Sequence, residues 1–128
     1  MARILLVDDE PSILCILSNL LQSDGHSIAG TLRGDKAKQR LRSDEKLDLM
    51  LTDLRMWPVS GMDVIKTARE VRPSMPVVII SAYVTAEVEE EATKLGVASI
   101  IRKPWAVDDL LAIIRQVVQQ ASTAEPTV

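Results

Sequence analysis

The feature that most constrains this chain is an alternation, repeated five times, of short apolar runs with segments of helical periodicity. Ile4–Val7, Leu49–Leu51 and Val77–Ile80 are leucine-rich or β-branched, and polar or turn residues follow each of them. Unbroken apolarity over so few residues fits strands buried on both faces, as in a parallel sheet, rather than strands with one wet face. Ser27–Gly30 and Ala98–Arg102 are weaker runs and are expected at the sheet edges. Between the runs the spacing predicts helices over 12–22, 35–43, 62–72, 85–95 and 107–120. The third carries a Val64, Ile65, Ala68, Val71 stripe and is closed by Pro73. The last carries Val107, Leu110, Leu111, Ile114, Val117 and Val118.

Strand–helix alternation without an internal repeat implies an α/β fold, with helices on both faces of a parallel sheet and right-handed crossovers. For five strands the doubly wound, flavodoxin-like order is 2-1-3-4-5, which places the first, third and fourth strands in the centre. Those are the three most apolar runs. At 128 residues the chain has the length of one domain and can bury roughly two-thirds of its unfolded surface. Residues 1–121 are expected to form that domain, and 122–128 a tail or the start of a linker. A net charge of −3 argues against nucleic acid as a direct partner. The apolar run near the N-terminus is too short for a signal peptide or a membrane span, so no membrane role and a cytoplasmic location are expected. The single cysteine, Cys15, lies in an apolar helical pattern and reads as a buried thiol; His26, after Gly25, reads as exposed and inert.

Ligands of open α/β sheets bind beyond the carboxyl ends of the strands. There the first strand is followed by Asp8-Asp9-Glu10, the third by Asp53, the fourth by Ser81 and the fifth by Lys103-Pro104. Three carboxylates, a hydroxyl and an ammonium thus converge on one rim. Acids that close repel one another unless a cation relieves them. Mg²⁺ takes carboxylate oxygens and leaves positions for phosphate oxygens. Together with Lys103 it would neutralise an incoming phosphoryl group. One carboxylate is then the nucleophile. Asp53 is the better candidate, because it ends a central strand between Asp8/Asp9 on one side and Ser81 on the other.

The set LLVDDEP, LTDLRM, IISA and RKP, in this order and spacing, resembles the receiver domain of two-component response regulators over essentially the whole chain. The resemblance implies that Asp53 accepts a phosphoryl group from a histidine kinase or phosphotransfer protein, and that the domain catalyses its own phosphorylation and dephosphorylation. It implies Mg²⁺ held by Asp9, Asp53 and the main-chain carbonyl of Arg55, with Asp8 acting through water. It further implies Ser81 as the switch hydroxyl, Lys103 as the second phosphoryl contact and a cis peptide before Pro104. Output would pass through the fourth helix, fifth strand and fifth helix to a downstream protein or output domain. A homodimer through that face is consistent with Ile113 widening the last helix's apolar side.

Three positions depart from the family pattern. Ile100 stands three residues before the lysine, where an aromatic is usual, which leaves Tyr83 as an alternative moving ring or a plain exposed loop residue. Trp57 occupies the usual proline position, with Pro58 after it and Gly61 still in register; it either covers the phosphoryl group or packs on the surface. Arg55 and Tyr83 fill the two variable positions that flank the attacking water. They would shield the phosphate or sit in solvent. Two alternatives compete with a working receiver. A haloacid-dehalogenase-like phosphatase would use Asp8, Glu10, Ser81, Lys103 and Asp108-Asp109, and would leave Asp53 without a task. A degenerate receiver would act only as an interaction module. The acidic run Glu87, Glu89–Glu91 and the basic residues Lys36, Lys38, Arg40 and Arg42 read first as solvated helix faces.

Overall fold

A computed structural model describes residues 2–124. Five parallel strands alternate with five helices: β1 Arg3–Val7, α1 Pro11–Ser23, β2 Ser27–Thr31, α2 Gly34–Arg42, β3 Leu49–Thr52, α3 Gly61–Val71, β4 Val77–Ser81, α4 Ala86–Lys94, β5 Ser99–Arg102 and α5 Val107–Ala124. The sheet order is β2-β1-β3-β4-β5, as expected for the flavodoxin-like doubly wound fold. The helix expected over 107–120 runs on to Ala124, so the first part of the expected tail is helical, and 125–128 lie outside the described residues.

Successive strand side chains point to opposite faces, which is why the central runs are apolar at every position. Leu5, Val7, Met50 and Ile79 face one cluster with Ala37, Leu41, Val64, Ile65, Ala68 and Ala92 of α2, α3 and α4. Ile4, Leu6, Leu49, Leu51, Val78 and Ile80 face the other, with Leu17 and Leu21 of α1 and Leu110, Ile114 and Val117 of α5. Every residue of β3 and β4 is buried, whereas the edge strand β2 buries only Ala29.

Helix ends follow local chemistry. The Ser60 hydroxyl accepts from the Asp63 amide at the start of α3, and the Thr85 hydroxyl accepts from the Val88 amide at the start of α4. Gly25, at φ 94°, carries the chain out of α1 in the left-handed conformation that only glycine adopts cheaply.

Four positions differ from what the sequence pattern predicts: Cys15, His26, Val71 and Val107. Cys15 is exposed: α1 turns the Leu17 and Leu21 side to the sheet, and the stripe that includes Cys15 and Ile16 faces outward. His26 is buried, because the turn after α1 folds it beneath the N-terminal strand, where its Nδ1 accepts from the Ala2 amide at 3.2 Å. Val71 and Val107, placed on apolar stripes by spacing, are exposed because each stands at a helix end beyond the sheet's cover.

The buried Nε2 of His26 has no hydrogen-bond partner, and the nearest carboxylate oxygen, on Asp24, is 3.9 Å away. Burial lowers the pKa of this imidazole, and the neighbouring Asp24 charge only partly opposes the shift. Protonation would also destroy the acceptor that holds the Ala2 amide. The unfolded chain therefore takes up the proton first, and stability is full above the ordinary imidazole value of about 6.5 and lost as pH falls towards the folded value. Urea denaturation between pH 7.5 and 5 should show this decline, and His26→Gln should flatten it. An unchanged slope in His26→Gln would contradict the assignment.

Candidate functional site

The carboxyl ends of β1, β3, β4 and β5 bring the expected residues together. Val7 pairs with Thr52, and the ladder continues past them: the Asp53 amide donates to Val7 carbonyl at 2.9 Å and the Asp8 amide to Thr31 carbonyl at 3.2 Å. Asp8 and Asp53 therefore sit side by side on fixed backbone rather than on free loops. At the other side of the rim the Lys103 amide donates to Ser81 carbonyl at 2.9 Å. The Lys103–Pro104 peptide is cis, as the resemblance implies; Trp57–Pro58 is cis as well.

Asp8 is fully buried, Asp53 is 6% exposed and Asp9 is open to solvent. Each offers a carboxylate oxygen, and these oxygens lie within 4.8 Å of one another. Mg²⁺ takes oxygen ligands at about 2.1 Å and keeps several waters, so these three acids would hold one such ion, Asp9 and Asp53 directly and Asp8 through a bound water. Lys103 Nζ lies 3.0 Å from Asp8 Oδ2 and 3.4 Å from Asp53 Oδ2, with its side chain 13% exposed. One ammonium cannot balance three carboxylates, which again favours a dication. The remaining oxygens are partly occupied: Asp8 Oδ1 accepts from the Glu10 amide at 3.0 Å, and Asp53 Oδ1 from the Leu54 amide at 2.8 Å.

The electrostatics follow this crowding. Burial raises the pKa of Asp53 and the Asp8 charge adds to it, outweighing the opposing effect of Lys103 and the Leu54 amide. Burial pulls the Lys103 pKa down, but its hydrogen bond to Asp8 and the two carboxylate charges more than reverse this, and the ammonium is held charged above its ordinary value.

Ser81 is fully buried on β4, and its hydroxyl is turned to the main chain of Tyr83: it accepts from the Tyr83 amide at 3.1 Å and donates to the Tyr83 carbonyl at 3.3 Å. The Arg55 guanidinium stacks over the Tyr83 ring at 4.0 Å. Trp57 is 87% exposed and covers nothing. Ile100 packs half-buried against the cluster on the α2–α4 face. Asp108 and Asp109, needed by the phosphatase alternative, stand exposed in the first turn of α5, outside the carboxylate group.

Two glycines hold the loop that carries Asp53. A Cβ on Gly61 would fall 1.8 Å from the Asp53 carbonyl oxygen, and the Gly61 amide donates to the Leu54 carbonyl at 2.9 Å. A Cβ on Gly34 would fall 2.7 Å from the Val59 carbonyl oxygen, so the first turn of α2 abuts the same loop. Sequence spacing singled out Gly61 but not Gly34, whose partner is distant in the chain.

Comparison with known proteins agrees with this geometry. The profile of the response regulator receiver domain matches residues 4–115. The chain is 36% identical over 123 residues to the transcriptional regulatory protein GlrR of Escherichia coli K12, covering 96% of this chain and 28% of that protein. It thus spans little more than a quarter of that relative's length. The crystal structure of a response regulator receiver protein from Pseudomonas putida superposes with a TM-score of 0.84 at 30% identity, over 90% of this chain and 96% of that one. A CheY-like receiver domain protein from Methanospirillum hungatei JF-1 shares the fold with a TM-score of 0.91 at 24% identity, over 96% and 98% of the two chains. From residue 4 to residue 115, in fold and in sequence, the chain belongs to the response regulator receiver domain family.

Proposed function

We propose that Asp53 accepts a phosphoryl group from a phosphohistidine of a histidine kinase or phosphotransfer protein, in a Mg²⁺-dependent reaction. The observation that carries this reading is the single ammonium of Lys103 shared between the buried carboxylates Asp8 and Asp53, with Asp9 beside them. A carboxylate oxygen of Asp53 forms the bond to phosphorus. The phosphorus–nitrogen bond of the donor breaks, and its electron pair stays on the imidazole nitrogen. Lys103 pairs with a phosphoryl oxygen, exchanging one of its carboxylate partners for it, and Asp8 holds the lysine in place. Asp9, Asp53 and the Arg55 carbonyl, with Asp8 through water, would hold Mg²⁺, which would supply positive charge to offset the phosphoryl oxygens. Attack by water on phosphorus breaks its bond to the Asp53 oxygen, which leaves with the electron pair as the carboxylate, and releases inorganic phosphate. The Ser81 hydroxyl turns to the bound phosphoryl group and signals through α4, β5 and α5.

The names of the relatives as transcriptional regulatory proteins support an output domain or downstream protein as the recipient of that signal, with a cytoplasmic site of action. No helix among the described residues is long and apolar enough to cross a membrane. Pairing of two copies through the α4–β5–α5 face remains part of the proposal.

Incubation with acetyl phosphate and Mg²⁺ should add the mass of one phosphoryl group to the intact protein, and Asp53→Asn should abolish the gain. No gain in the unsubstituted chain would sink the proposal, and phosphate turnover surviving in Asp53→Asn would point to Asp8 as the nucleophile instead. Mg²⁺ at a hundred times its dissociation constant should stabilise the fold by about 2.7 kcal/mol. Asp9→Asn should lose most of that increment in thermal denaturation; an undiminished shift would remove Asp9 from the ligand set.

A further inference from the structure

Resting on the reading of Asp53 as phosphoryl acceptor, we propose that Tyr83 and Arg55 are positioning residues for phosphoryl binding: their stack holds the β4–α4 loop where its main chain occupies the Ser81 hydroxyl. A serine hydroxyl has one proton to donate. In this structure that proton is directed at the Tyr83 carbonyl, 3.3 Å away, while the oxygen accepts from the Tyr83 amide at 3.1 Å. Ser81 is fully buried, so no water competes for it. Donation to a phosphoryl oxygen and donation to Tyr83 are therefore mutually exclusive, and turning the hydroxyl proton gives up the bond to the Tyr83 carbonyl.

The Tyr83 side chain is fixed from the other side of the rim. It is 58% exposed, yet its ring lies under the Arg55 guanidinium at 4.0 Å, joining the β4–α4 loop to the β3–α3 loop across the mouth of the site. While the stack persists, the Tyr83 main chain stays within reach of Ser81; its loss lets the loop move and frees the hydroxyl. The stack thus opposes the phosphoryl-bound arrangement by at most its own strength. An exposed cation–π contact is worth a factor of about two to five in an equilibrium constant.

The β5 position that would carry an aromatic in the usual pattern holds Ile100, which is half-buried against the α2–α4 cluster and has no ring to rotate. In this chain the aromatic that responds to Ser81 sits on the loop itself, two residues away, and its resting place is set by Arg55.

Calorimetric titration of the full chain with beryllofluoride, in saturating Mg²⁺, tests this. Tyr83→Leu should bind the mimic about two- to five-fold more tightly than the unsubstituted chain, and Tyr83→Phe, which keeps the ring, should restore the original affinity. The gain should vanish when Tyr83→Leu is made together with Ser81→Ala, where no hydroxyl remains to be released. Arg55→Met alone, which breaks the same stack, should bind as tightly as Tyr83→Leu, and adding Tyr83→Leu to it should bring no further gain. Unchanged affinity in Tyr83→Leu, or a gain from Tyr83→Leu when it is measured against Ser81→Ala alone or Arg55→Met alone, would overturn the inference alone. Failure of the unsubstituted chain to bind beryllofluoride would remove the phosphoryl-acceptor reading and this inference with it.

Discussion

The mutual repulsion of Asp8, Asp9 and Asp53 shapes everything else at the rim. Two of these acids are buried, and a single ammonium, Lys103, bridges that pair. Removing one partner from a buried pair leaves a stranded charge, a loss on the order of 3–5 kcal/mol, so the lysine is structural before it is chemical. The same surplus of negative charge is what the proposed Mg²⁺ and, through it, a phosphoryl group would relieve. Burial raises the pKa of Asp53, and on the proposed reading this is the cost of placing the nucleophile where water is sparse.

The sheet makes this concentration of charge affordable in geometry. The backbone hydrogen bonds of β1 and β3 continue one residue beyond the strands proper, so Asp8 and Asp53 inherit the strands' spacing and rigidity. Gly61 lets α3 begin against the backbone of Asp53 and Leu54, and Gly34 lets α2 press on Val59 of the same loop. The fully buried strands behind the site, with apolar clusters on both faces, resist the strain that the acids impose.

Much of this was legible in the residues. Dense runs at Ile4–Val7, Leu49–Leu51 and Val77–Ile80 can be satisfied only by strands covered on both sides, and the order of a five-stranded doubly wound sheet then puts Asp8, Asp53, Ser81 and Lys103 on one rim. Periodicity was less informative where a helix carries more apolar residues than the sheet can cover: Ile16 and Cys15 of α1 lie outside the contact with the sheet although the pattern includes them. His26 was misread because a turn position says nothing about which segment closes over it, and here the N-terminal strand does so. The Arg55–Tyr83 stack lay beyond sequence reasoning for a similar reason. Both residues stood out as unusual, but a contact between two loops depends on their backbone paths.

Ile100 leaves β5 without a ring to turn, while Ser81 is already engaged by the loop that carries Tyr83. On the proposed reading, recognition of phosphate and its transmission would meet at one hydroxyl, and both presuppose that Asp53, rather than its two acidic neighbours, forms the acyl phosphate. Borohydride reduction of the phosphorylated chain followed by peptide sequencing by mass spectrometry tests that most directly, since reduction converts only a phosphorylated aspartate to homoserine. The account requires homoserine at position 53 and aspartate at 8 and 9; homoserine at position 8 or 9, with Asp53 intact, would contradict it.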